Sequence, residues 1–287
     1  MGGKSQRNRK KIRSSRKGKN KRYKRRSVLL FIFLIALLGC GFYLKDRLSY
    51  YFHKFKTPKE YTQLTNTATE HARIDRIVEE HTDKTFGIDL SHYQSSEDLN
   101  WDSLSIGYGS VPIEFVVLRA SMGSNGKDLE FKKFWEQAAK HNLVRGAYHF
   151  YRPDEDPILQ ANQFLSAVQL ESGDLRPVVD IEKYPKIISK KKLRKNLQIF
   201  LDILEERFRE KPIIYTYFHY YKDELEGHFD SYPLWLANYN NVLAPNKDSP
   251  WLMWQFTENG IVNGISTKVD LNIYNGSLRS LKSYTLP

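Results

Sequence analysis

The sequence predicts an α/β fold: an irregular TIM-like barrel of five βα units followed by three strands with little helix, preceded by a single N-terminal transmembrane helix. Three observations carry this reading. From Phe86 onward short apolar runs alternate with helical patterns, as βα units on a largely parallel sheet do. The last three apolar runs have little helix between them. Near the N-terminus, one stretch of seventeen residues carries no charge.

The chain opens on a basic tail. Residues 1–26 hold 14 Lys or Arg and no acid, so 31 of the 45 basic residues remain to face all 33 acids. The net charge of +12 therefore belongs to the tail, and the remainder is near neutral. An enzyme of nucleic acids needs positive charge on its folded surface, so no nucleic-acid partner is expected. Val28–Leu44, VLLFIFLIALLGCGFYL, is the uncharged stretch. It sits at the short end of the spanning range, and Arg25, Arg26 and Lys45 can snorkel to lengthen it. Basic residues stay on the cytoplasmic side. Residues 27–45 are thus expected to be a signal-anchor that places the N-terminus inside and the rest in the periplasm or at the cell surface. A cleavable signal peptide is the competing reading, disfavoured by the long basic region and the lack of a small-x-small site. Cys40, the single cysteine, leaves lipidation as a further alternative. The exported part has no thiol for a disulfide and must rest on a large core.

Residues 46–84 are polar and mixed in charge, with a helix-compatible stretch RIDRIVEEH. They are expected to form a stalk, with a packed extension of the next domain as the alternative. The domain itself, residues 85–287, offers eight strand candidates: FGIDLS (86–91), FVVLRAS (115–121), VRGAYHF (144–150), PVVDIE (177–182), PIIYTY (212–217), PLWLANY (233–239), WLMWQF (251–256) and KVDLNIY (268–274). Helices are expected after the first four and, through YYKDELEGH, after the fifth. Phe131, Phe134, Trp135, Ala138 and Ala139 form one stripe of helical period, and Leu193, Leu197, Phe200, Leu201, Leu204 and Phe208 another. Both stripes read as core.

A βα barrel gathers its active site at the C-terminal ends of its strands, and the acids fall there. Asp89 ends the first strand, Asp180 and Glu182 end the fourth, and Asp270 lies in the eighth, which closes against the first. Residues i and i+2 of a strand face the same way, so Asp180 and Glu182 share one small region. Glycoside hydrolysis needs such a pair: one acid protonates the leaving oxygen and another group offsets the charge at the anomeric carbon. The run VVDIE is also a poor place for solvated acids. No metal is expected, since no His-rich ligand cluster accompanies the acids and a cysteine-based zinc site is excluded.

The motifs in order resemble family 25 glycoside hydrolases, the Chalaropsis-type lysozymes. The matching segments are GIDLSHYQ (87–94), FVVLRASMG (115–123), GAYHFYRP (146–153), GDLRPVVDIE (173–182), KPIIYT (211–216), YPLWLANY (232–239), WQF (254–256) and VDLNIYNG (269–276). The resemblance implies a TIM-like barrel of five βα units and three further strands, no cofactor, and cleavage of the β-1,4 bond between N-acetylmuramic acid and N-acetylglucosamine in peptidoglycan. It implies Glu182 as general acid, Asp180 as its partner carboxylate, and Asp89 and Asp270 as further acids of the sugar subsite. Tyr148 matches a tyrosine facing the same pocket, and Trp254, Gln255 and Tyr215 are candidate substrate contacts, with core packing the alternative for Trp254. Where the family often carries Thr-Glu-Gly this chain has Ser121-Met122-Gly123, one carboxylate fewer at the cleft edge. His92 and His149 adjoin the motifs, but structural roles are favoured for both. Asp180 has two open roles, nucleophile or stabiliser of attack by the substrate's own acetamido group. A chitinase-like hydrolase of N-acetylated glycans and a non-catalytic peptidoglycan-binding envelope protein are the rival functions.

Overall fold

The computed structural model describes residues 68–107, 111–239 and 251–287. The expected tail 1–26, the anchor 27–45 and the first part of the stalk lie outside them. No described helix is long and apolar enough to cross a membrane.

Each of the eight expected runs holds a strand: β1 (Thr85–Leu90), β2 (Phe115–Met122), β3 (Val144–Phe150), β4 (Val178–Asp180), β5 (Ile213–Tyr217), β6 (Leu234–Ala237), β7 (Met253–Gly260) and β8 (Val269–Tyr274). They pair in the order β1-β8-β7-β6-β5-β4-β3-β2, and β2 returns to β1 to close the barrel. All pairs are parallel except those of β8, which runs antiparallel to both β1 and β7. The connection from β7 to β8 is too short for a crossover, so the chain can only turn back. Asp270 therefore starts its strand, yet lies at the same end of the barrel as the residues that finish the others.

Alternation along the strands builds two cores. Phe115, Val117, Val178, Ile213, Trp235 and Met253 point inward and fill the lumen, while Ile88, Val116, Leu118, Val179, Ile214 and Leu236 point outward. Gly87 faces the lumen because the Phe115 ring takes the space: a β-carbon at 87 would lie 2.4 Å from it. The helices α2 (Phe131–Lys140), α3 (Pro157–Ala167) and α4 (Lys190–Phe208) follow β2, β3 and β4. Their starts are chemically specified in two cases. Asp156 accepts from the backbone N–H of Ile158 and Leu159 with Pro157 as the first helical residue, and Ser189 accepts from Lys192 N–H. Of the expected stripes, Phe131, Phe134 and Ala138 and then Leu193, Leu197, Phe200, Leu201 and Leu204 are buried, whereas Ala139 is exposed.

The pattern of five βα units needs correction. Among the described residues no α-helix follows β1; its connection holds two single 3₁₀ turns, Ser96–Asp98 and Trp101–Ser103, and two short strands that pair into a small sheet with Val262–Asn263. Ser95 and Asn100 each cap a turn with their side chains, and each turn ends on an extended leucine. After β5 the helix is short, Phe218–Tyr220 running into a π turn at Tyr221–Leu225.

Helix α1 (Ala68–Glu80) precedes the barrel and packs on it. Ile74, Ile77 and Val78 are buried in the outer core, Arg73 donates to Phe256 O, Thr257 Oγ1 donates to Glu70 at 2.7 Å, and the His81 ring meets Trp254. The latter part of the expected stalk is thus a packed extension of the barrel. At the opposite end of the chain, Leu286 N–H donates to Asp174 O and Arg176 N–H to Tyr284 O. Leu281, fully buried, joins Tyr274 and Leu175 in the lumen core, so the C-terminal segment seals the barrel at the end away from the acids.

Candidate active site

The acid-bearing end of the barrel is built from single positions on separate strands. Asp89 on β1 and Asp270 on β8 are direct cross-strand partners, Asp180 ends β4, and Glu182 follows two residues on. Asp89 and Asp180 are each 7% exposed, and the Glu182 side chain 14%. Burial is the main force on three of these carboxyls. It pushes Asp89 up to about 6, against hydrogen bonds that pull it down. Asp180 is raised well above the carboxylate range by burial and by the charges of Glu182 and Asp89, with Arg119 pulling the other way. Asp270 is raised likewise by burial and by Asp89 and Glu258. Like charges placed together oppose one another's ionisation, in the same direction as burial.

Around Asp89 runs an ordered network. Its Oδ2 accepts from Gln255 Nε2 at 2.7 Å and Asn272 Nδ2 at 2.8 Å. Both amides are oriented from behind: Gln255 Oε1 accepts from Tyr215 OH at 2.7 Å and from Tyr239 OH, and Asn272 Oδ1 from Trp235 Nε1 at 2.9 Å. With its oxygen accepting and its nitrogen donating, each amide has its orientation fixed. Asp180 is the contrast. Its Oδ1 is buried with no hydrogen-bond partner among the described residues, whereas Glu182 pairs with Lys183 Nζ at 3.2 Å. Tyr148 and Tyr215 are buried, and burial raises their phenols well above the usual value, so both remain protonated donors.

Of the residues expected from sequence, Glu182, Asp180, Asp89, Asp270, Tyr148, Gln255 and Tyr215 gather at this end. Trp254 does not. It is 1% exposed, its Nε1 donates to Asn238 O at 3.1 Å, and its ring packs on His81, Trp251 and Phe256 in the outer core. Neighbouring residues of a strand point to opposite faces, so Gln255 in the lumen sends Trp254 outward. His149 is structural, as expected: fully buried, it bonds Ser121 Oγ at 2.8 Å and Gln160 Oε1 at 3.2 Å, and burial lowers it to about 4. Asn272, Trp235, Tyr239 and Glu258 were not anticipated. Asn272 was within reach of the period-2 rule, since it lies two residues from Asp270 on one strand.

A barrel that gathers buried carboxylates at one end from three of its strands, one of them braced by two amides, is an arrangement glycoside hydrolysis can use. The chain belongs to the glycosyl hydrolases family 25, whose model matches residues 88–265. It is 34% identical over 199 residues to the uncharacterised protein YegX of Escherichia coli O6:H1, covering 69% of this chain and 72% of that one. Lysozyme M1 of Streptomyces globisporus is 32% identical over 210 residues, covering 68% and 69%. Among solved structures the bacterial lysozyme from Streptomyces coelicolor superposes with a TM-score of 0.61 at 29% identity, over 70% of this chain and 96% of that one.

Proposed function

We propose that the chain is a membrane-anchored muramidase that hydrolyses the β-1,4 bond between N-acetylmuramic acid and N-acetylglucosamine in peptidoglycan. Family membership and the lysozyme relatives support the reaction class. The observation that carries the mechanism is Asp180 Oδ1, a buried carboxylate oxygen without a partner beside Glu182. A buried acceptor left unmet costs about 1–3 kcal/mol, and the amide N–H of an N-acetylated sugar would meet it. Asp180 then orients the acetamido group for attack on the anomeric carbon and offsets the positive charge that develops on it. Glu182, at the rim and partly open to water, donates its proton to the leaving oxygen and later activates the incoming water. Asp89, held by Gln255 and Asn272, and Asp270 complete the sugar subsite, with Tyr148 as a donor to it and Tyr215 orienting Gln255. Anchoring through residues 28–44, with the barrel in the periplasm or at the cell surface, is supported by the basic tail before an uncharged run.

Purified peptidoglycan and chitin are digested side by side and the fragments weighed. Muramic acid at the new reducing ends is expected from peptidoglycan, with little release from chitin. Glu182→Gln keeps the shape but not the proton, and should lower turnover by about 10²- to 10⁴-fold while fragment binding persists. A folded Glu182→Gln protein that cuts at near-normal rate would show that another residue is the acid.

A further inference from the structure

The mechanism leaves one buried cluster without a task, the group around Arg119 on β2. Its side chain is 11% exposed and held from two directions. Nε donates to Asp128 Oδ2 at 3.0 Å, Nη2 forms an ion pair with the same oxygen at 2.9 Å, and Nη2 donates to His92 Nδ1. Asp128, with its side chain 1% exposed, is fixed in turn by the backbone N–H groups of His92 at 2.9 Å and Glu130 at 3.0 Å. The guanidinium has no freedom to swing.

The groups facing Asp180 make that rigidity meaningful. Glu182, Asp89 and Asp270 press on it with like charge. Tyr148, Tyr215 and Tyr217 face it as protonated phenols. Arg119 is level with Tyr148 of β3, which is level with Val178 of β4, two residues before Asp180 on the same lumen face; with Lys183 it is one of the two cations that act on Asp180. The Lys183 side chain is 63% exposed and already paired with Glu182, so solvent screens it. Asp128 cancels part of Arg119's charge, but at Tyr148, where both are felt, Arg119 is the stronger.

We propose that Arg119 is a positioning residue of this centre, clamped by Asp128 and His92 so that a fixed positive charge on β2 acts on Asp180 across the intervening strand β3. Its task is to let Asp180 ionise among three other acids when a cationic centre forms on the substrate. The kinetic part of this inference rests on the muramidase reading; the electrostatic part does not.

The test uses the full-length chain with ¹³C-labelled aspartate carboxyls, in two variants. Arg119→Gln removes the charge and keeps a donor for Asp128; Arg119→Lys keeps the charge. In Arg119→Gln the Asp180 carboxyl should titrate higher than in the parent by about one pH unit or more, while Arg119→Lys stays near the parent. The acid limb of kcat against pH should move the same way. Turnover below both midpoints should then fall about tenfold per unit, with KM little changed. Identical Asp180 titration in Arg119→Gln and parent, or the same rise in both variants, would overturn the proposal. A parent that releases no muramic-acid ends would overturn the function and leave the titration to decide Arg119.

Discussion

Replacing Asn272 by Leu should make stability depend steeply on pH above about pH 5. The Asp89 carboxyl titrates at about 6 in the folded protein against 3.8 normally. The native state therefore keeps a proton that the unfolded chain releases. This contribution is fully present below the unfolded value and is lost as pH rises to about 6. Its size is roughly 3 kcal/mol, at about 1.4 kcal/mol per pH unit. The loss is limited by two amide donors, Gln255 at 2.7 Å and Asn272 at 2.8 Å. A hydrogen bond to a charged group contributes about 1.5–3 kcal/mol, so without Asn272 the carboxyl should rise by a further one to two units or so. The leucine also strands Trp235 Nε1, which costs about 1–3 kcal/mol at every pH. Urea unfolding at pH 5 and pH 8 separates the two effects. The variant should be weaker at both, with the deficit larger at pH 8 by about 1–3 kcal/mol. Equal deficits would refute the claim that Asn272 makes the ionised form of Asp89 tolerable.

Two other expectations concern residues at the edges of the argument. Trp254→Ala should cost about 3–5 kcal/mol of stability, measured by thermal or urea unfolding, and leave glycan binding by the folded protein intact; weaker binding with unchanged stability would return Trp254 to the cleft. Protease added to spheroplasts should remove the barrel while sparing the tail, and a fully protected barrel with accessible controls digested would invert the proposed topology.

Much of this fold was readable from sequence because barrel strands are short, apolar and separated by strong punctuation. The four acids were readable for a related reason: charged residues inside runs such as VVDIE conflict with burial unless they have work to do. Three things were not readable, each because a tertiary fact decided it. The connection after β1 looked helical in outline, but Ser95 and Asn100 each cap the start of a turn that stops after three residues on an extended leucine. Trp254 and Gln255 are adjacent in the chain and both plausible sugar contacts, and only the register of β7 against β8 says which one enters the lumen. Asn272 looks like an ordinary polar residue until Trp235 and Asp89 are seen on its two sides.

Helix α1 bears on how the catalytic unit can be cut out of the chain. The family match begins at residue 88, and a fragment designed from it would start near β1 and discard Ile74, Ile77 and Val78. These three side chains are 5–9% exposed and share the outer core with Trp254 and Phe256 of β7. At about 1.5–3 kcal/mol for each buried aliphatic side chain, their loss amounts to about 5–9 kcal/mol, which is comparable with the whole stability of an ordinary domain. The same fragment would bare Trp254 and Phe256 to water and invite association through that face. The smallest independently folding form of this enzyme therefore includes the helix that begins at Ala68, and an expression fragment trimmed to the family boundary would report inactivity for reasons unrelated to its acids.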